Sequence, residues 1–200
     1  MSTLYNLLSV FPTNPPRFLL LTGFFLSLFN CSSNTPEQAA EQLSFTPHLV
    51  GPFSVALPVT WKPMDMATAK SGQGIPDLYG FQPVCAKDAA FCENVVIRLT
   101  VPTAGVPLAA IGTALEEALQ KKYTGYVLHS RRDTTMHHLP LTILDYEFTA
   151  HDLRLRSTAV LAQTTGYMAQ FGFASLHAPG ATDARHQLLL QTIIASIRVR

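Results

Sequence analysis

The chain has little charge. Only 14% of its 200 residues are Asp, Glu, Lys or Arg, and the formal net charge is +1. It has no basic stripe or polybasic run, which argues against a nucleic-acid surface, and no acidic tract that would read as a tail. The common catalytic signatures are missing too. There is no Gly-x-Ser-x-Gly, Walker loop, dinucleotide fingerprint or Cys/His nucleophile pattern. Gly72 and Gly74 lack the strand–helix context of a phosphate site, and Ser44, Ser54 and Ser71 have no neighbouring base in sequence. No enzymatic activity and no cofactor are therefore expected. Long apolar runs are also lacking. Phe18–Phe29 has 12 residues, which as a helix would cover about 18 Å of a hydrocarbon core about 30 Å thick.

What is present is an apolar composition, 48% hydrophobic, which excludes general disorder. The first 30 residues read as a segment that is removed. The short apolar run follows Arg17, the only charge among the first 36 residues, and Pro12, Pro15 and Pro16 prevent a helix from extending upstream. Cys31 follows the run directly and precedes the polar Ser32–Glu37. This arrangement resembles a bacterial lipoprotein signal peptide, with Leu28 at the aliphatic position and Phe29-Asn30 bulkier than the usual small residues. The resemblance implies that Cys31 is the lipid-bearing first residue of the mature protein. It would then sit on a membrane at the periplasmic side of the cell envelope, with the outer membrane favoured in a Gram-negative host because Ser32 replaces the inner-membrane Asp. Residues 31–48 read as a flexible tether and 49–200 as one domain. Removing Arg17 from the 14 basic residues leaves 13 against 13 acidic ones, so the mature part is formally neutral.

Cys85 and Cys92 flank a polar turn between two strand-like runs. In an oxidising compartment they read as a disulfide, since the redox motif has a shorter, Cys-x-x-Cys spacing. Cys31 is then the odd cysteine.

Period-two alternation predicts strands at Phe53–Leu57, Leu78–Val84, Glu93–Val101, Tyr126–Met136, Leu141–Thr149, Leu153–Gln163 and Tyr167–Phe173. Trp61 falls in a proline-bounded turn. Helical spacing of Leu108, Ile111, Leu115 and Ala118 predicts a helix over 108–123, and Leu190, Ile193, Ile194 and Ile197 predict a closing one. The order βββαββββα, with two one-faced helices, predicts an α+β fold. A single antiparallel sheet would carry the inserted and the C-terminal helix, leaving the opposite sheet face open.

The opening Phe53-Ser-Val-Ala-Leu-Pro-Val-Thr-Trp61, the helix Leu108–Tyr123 and the ending Ile193-Ile-Ala-Ser-Ile-Arg-Val199 resemble the PsbP/DcrB-like (Mog/PsbP-type) fold over about 50–200. That resemblance implies a PsbP-like α/β sandwich and a protein that works by binding a partner, and it transfers no functional residue.

Asp145 and Glu147 share one strand face, and Arg154 and Arg156 share a face of the next strand, so the four fit as cross-strand partners. With Arg131 and Arg132 they make a candidate partner-binding surface. A metal site from His129, His138 and Asp145 is conceivable but lacks paired spacing, so no metal is expected. Trp61, Tyr79 and Phe81 read as core or, less often, as a groove. The expected function is a non-enzymatic binding or assembly module for a protein or peptide at the membrane surface. The alternative is a small-ligand carrier with loop 62–80 as a lid, and an enzyme of unrecognised type stands third.

Overall fold

The computed structural model describes residues 44–66, 77–177 and 181–200. Cys31, the signal segment and most of the tether lie outside the described residues, as do Gly72 and Gly74. In chain order the elements are β1 (Phe45–Val50), β2 (Phe53–Pro58), β3 (Trp61–Pro63), β4 (Leu78–Pro83), β5 (Asn94–Thr100) and α1 (Leu108–Lys122). They continue with β6 (Thr124–Met136), β7 (Leu139–Ala150), β8 (Leu153–Gln163), β9 (Met168–Leu176), α2 (Ala181–Ala195) and β10 (Arg198–Val199).

The α+β class and the antiparallel strands agree with the sequence reading, but the single sheet does not. Seven strands form a sheet in the order β3-β4-β5-β9-β8-β7-β6, and a separate three-stranded sheet has the order β1-β2-β10. The tether reading also needs correction at its end. Residues 45–48 belong to β1, which pairs along its whole length with β2. Trp61 opens β3 rather than sitting in a turn, and it is buried with Phe81 in the main core.

The helices lie on opposite faces of the large sheet. Along β7, Thr142, Leu144, Tyr146 and Phe148 point to one face, where Tyr123 at the end of α1 stacks on Phe148 at 4.1 Å between ring centroids. Leu139, Leu141 and Ile143 point to the other, into one cluster with Leu190, Ile193 and Ile194 of α2 and Phe53, Val55 and Leu57 of β2. Phe53 meets Phe171 of β9 edge-on at 6.3 Å. β7 and β8 are therefore covered on both sides, which explains their near-continuous burial. The face expected to be free of helices carries α1 or α2, whichever side is chosen.

Two hairpins turn on left-handed residues without glycine. His137 and His138 have φ of 51° and 63°, and His151 and Asp152 have 48° and 63°. Two-residue hairpins favour Asn-Gly at such positions, and each non-glycine residue there costs about 1 kcal/mol. His151→Asn combined with Asp152→Gly is expected to raise stability by about 1 kcal/mol, a gain of about 3 °C in Tm. A thermal melt that is unchanged or lower would show that the turn carries no strain. Between β4 and β5, Cys85 and Cys92 are at disulfide distance, with Cα atoms 6.0 Å apart. Replacing both with serine is expected to cost about 2 kcal/mol, because the closed loop is short. Urea titration of the oxidised and substituted proteins checks this, and equal midpoints would rule out a stabilising link.

Candidate functional site

The large sheet's α2 face changes character along β7 and β8. Beyond Ile143 and Val160 it becomes polar, because the strand alternation brings Asp145, Glu147, Arg154, Arg156 and Thr158 to one side. The register sets Glu147 opposite Arg156 and Asp145 opposite Thr158. The ion pairs run diagonally. Arg154 donates from Nε and Nη2 to Glu147 Oε2 at 2.9 and 2.7 Å. Arg156 donates from Nη2 to Asp145 Oδ2 at 2.8 Å, and Thr158 Oγ1 donates to Asp145 Oδ1 at 3.3 Å. These four residues thus form two ion pairs side by side on one sheet face.

Two further groups converge on Glu147 that the sequence reading did not place there. His129 Nε2 and His177 Nδ1 each lie 3.0 Å from Oε1. His129 falls where the β6–β7 register slips between Leu128 and Ser130, so a bulge aims it at the carboxylate. His177 follows β9, and its N–H donates to the Arg154 carbonyl at 2.9 Å. Burial pushes the Glu147 carboxyl up, but the Arg154 hydrogen bonds, with His177 and His129 beside it, outweigh that and hold it below the ordinary 4.5. The Glu147 side chain is 5% exposed, against 54% for Arg154, 37% for His129 and 31% for His177. The patch therefore presents cationic and imidazole groups outward over a covered carboxylate.

The remaining selected residues separate from this patch. Arg131 lies on the α1 face, where it donates to the Ala109 carbonyl at 2.7 Å and to Thr113 Oγ1 at 2.8 Å. It fastens α1 to β6 and does not join a surface with Asp145 and Glu147. Arg132 is exposed on the α2 face, towards the hairpin end of β6. His129, His138 and Asp145 are not brought together. His138 lies in the β6–β7 turn, while His129 and Asp145 are engaged as described. Among the described residues no group of three His, Cys, Asp or Glu is placed to hold a metal ion.

A second polar chain crosses from α2 to the sheet. Ser175 Oγ lies 3.0 Å from His186 Nε2, and His186 Nδ1 lies 3.1 Å from Glu93 Oε1. The order of groups is that of a nucleophile, its base and an orienting carboxylate. Ser175, however, is 3% exposed beneath the helix that carries His186, so the chain ties α2 to β9 and to the start of β5. Residues 93 and 186 meet only through the fold, and no local pattern announces them.

Two cavities are lined by other residues. One of about 620 Å³ lies between the start of α1 at Pro107 and Leu108, the turn bearing His138, Pro140 at the start of β7, and Thr164 after β8. The other, of about 330 Å³, lies between β6 and α2. Neither is lined by any residue of 62–80, part of which lies outside the described residues, nor by Ser175.

No protein-family model and no curated protein sequence matches the chain. Solved structures do. Cyanobacterial PsbP (CyanoP) from Synechocystis sp. PCC 6803 superposes with a TM-score of 0.57 at 15% identity, covering 81% of this chain and 96% of its own. PA94 from Pseudomonas aeruginosa, of unknown function, gives 0.54 at 17% identity, covering 78% and 97%. The Ran-binding protein Mog1p of Saccharomyces cerevisiae gives 0.54 at 10% identity, covering 78% and 96%. The fold is of the PsbP/Mog type.

Proposed function

We propose that this chain of PsbP/Mog-type fold is a non-enzymatic binding module of the cell envelope, held at a membrane by lipid on Cys31. The observation that carries the binding role is the patch around Glu147. Two hydrogen bonds to Glu147 fix Arg154, and His129 and His177 lie 3.0 Å from the same carboxylate, so a partner meets a cationic group that is already ordered. The partner is a protein with carboxylates or carbonyls to accept those N–H groups. That Mog1p, with the same fold, is a Ran-binding protein supports the role. Anchoring rests on the apolar run before Cys31 and on the pairing of the other two cysteines.

Crosslinking in intact cells followed by affinity capture tests the binding role. An envelope protein is expected to be recovered with the wild-type chain, and its recovery should fall at least fivefold with Arg154→Glu. Recovery of nothing above background would overturn the reading. For the anchor, metabolic labelling with palmitate should mark the wild-type chain and leave Cys31→Ala unlabelled and released from membranes. An unlabelled wild-type chain, or a Cys31→Ala chain that stays with membranes, would overturn the lipid on Cys31.

A further inference from the structure

β6 ends the large sheet, and among the described residues no strand pairs with its outer edge. Its first half is bulged, at Thr124/Val127 and again at Leu128/Ser130, which twists an edge away from further pairing. From Ser130 to Met136 the register is unbroken. The two-residue turn at His137-His138 makes Met136 and Leu139 a hydrogen-bonded pair. Alternation along the ladder then turns the N–H and C=O of Asp133 and Thr135 outward, unpaired by β7.

Beside this regular stretch lies the cavity of about 330 Å³, lined by Arg132, Thr134, Met136, Ile143, Gln191 and Ile194. Its apolar lining is Met136, Ile143 and Ile194. Arg132 supplies the charge. No acid lines the cavity, and among the described residues no carboxylate makes an ion pair with Arg132, in contrast to Arg131, Arg154 and Arg156. A regular sheet edge, a helix alongside it and a half-apolar groove with a single cation between them are the parts of a strand-addition site.

We infer that the β6–α2 groove binds an extended peptide segment of a partner protein, which adds to the sheet at β6 and places one large apolar side chain and one carboxylate in the groove. The backbone of Asp133 and Thr135 supplies the ladder bonds. Side chains two apart on the incoming strand share a face, so the apolar and acidic residues fall two positions apart. One enters over Ile143 and Ile194, and the other meets Arg132. The inference rests on the partner-binding reading and names a second contact for it, on the same sheet face as the Glu147 patch.

A phage-displayed library of random octapeptides, panned on the full chain, tests it. Enriched peptides are expected to carry Asp or Glu two positions from Leu, Ile, Phe or Val. Synthetic copies should lose at least tenfold in affinity against Arg132→Glu and change less than threefold against Arg132→Lys. Thr135→Pro, which deletes an outward N–H and leaves the β7 pairing intact, should weaken them at least tenfold, and Gln191→Trp should block the groove. Thermal melts confirm that each variant is folded. No enrichment, enrichment without an acid, or affinity unmoved by Arg132→Glu and Thr135→Pro would overturn the inference. Dimerisation abolished by Thr135→Pro would assign the edge to a second copy instead. If an envelope partner is captured equally well by wild type and Arg132→Glu, the binding role stands and the groove falls.

Discussion

Glu147→Ala is expected to lower stability by about 3 kcal/mol at pH 7. The substitution removes a covered carboxylate and leaves Arg154, His129 and His177 facing one another. Losing one partner of a buried charge network costs about 3–5 kcal/mol. The lower end applies here because Arg154 is half exposed and can turn to water. Glu147→Gln keeps the volume and an acceptor, so it should cost less, and its pH dependence isolates the charge. The folded carboxyl titrates below its ordinary 4.5. Its contribution is therefore fully present above about 4.5 and is lost as pH falls through the lower folded value. Urea unfolding should show the wild type's advantage over Glu147→Gln intact at pH 7 and shrinking as pH is lowered below 4.5. An advantage that does not change with pH would mean that shape, and not charge, is what Glu147 supplies.

The same residue shows how far the sequence could be read. Alternation assigned Asp145 and Glu147 to one side of β7 and Arg154 and Arg156 to one side of β8, and cross-strand charge matching followed, because each depends only on the period of two. His129 was illegible for the opposite reason. The bulge at Leu128/Ser130 breaks the period, and only the folded register shows the imidazole turned to Glu147. Arg131 and Arg132 cannot both face the patch, because neighbours along a strand point to opposite faces, and the register puts Arg131 on the α1 side. The layer order leaves a trace in the sequence. Leu141 and Ile143 are apolar on the face that Asp145 and Glu147 continue, while Leu144, Tyr146 and Phe148 are apolar on the other. A strand apolar on both sides needs cover on both sides. β1 and β10 left little trace. β1 contains Pro47 and His48, and β10 is a two-residue strand whose place is set by pairing with β2.

Gly112→Val is expected to be at least as damaging, at about 3–4 kcal/mol. A glycine inside a 15-residue helix costs about 1 kcal/mol relative to alanine, so its presence needs a steric reason. A Cβ built there would lie 2.6 Å from Thr142 Cγ2, a distance that real Cβ contacts do not reach. Thr142 cannot easily give way. It is 1% exposed, and its hydroxyl donates to Asp133 Oδ1 at 2.5 Å. Arg131 meanwhile holds this turn of α1 to β6 through Ala109 and Thr113. Gly112→Ala should therefore cost about 2 kcal/mol in spite of its helix propensity, because the clash outweighs that gain. Thr142→Ser removes the offending methyl and keeps the hydroxyl bond, at about 1 kcal/mol for the lost burial. Combined, the two changes move one methyl group from strand to helix. The double variant should match the wild type, a coupling of about 3 kcal/mol in a double-mutant cycle. If the two costs simply add to about 3 kcal/mol, the contact between Gly112 and Thr142 is not what sets the approach of α1 to the sheet.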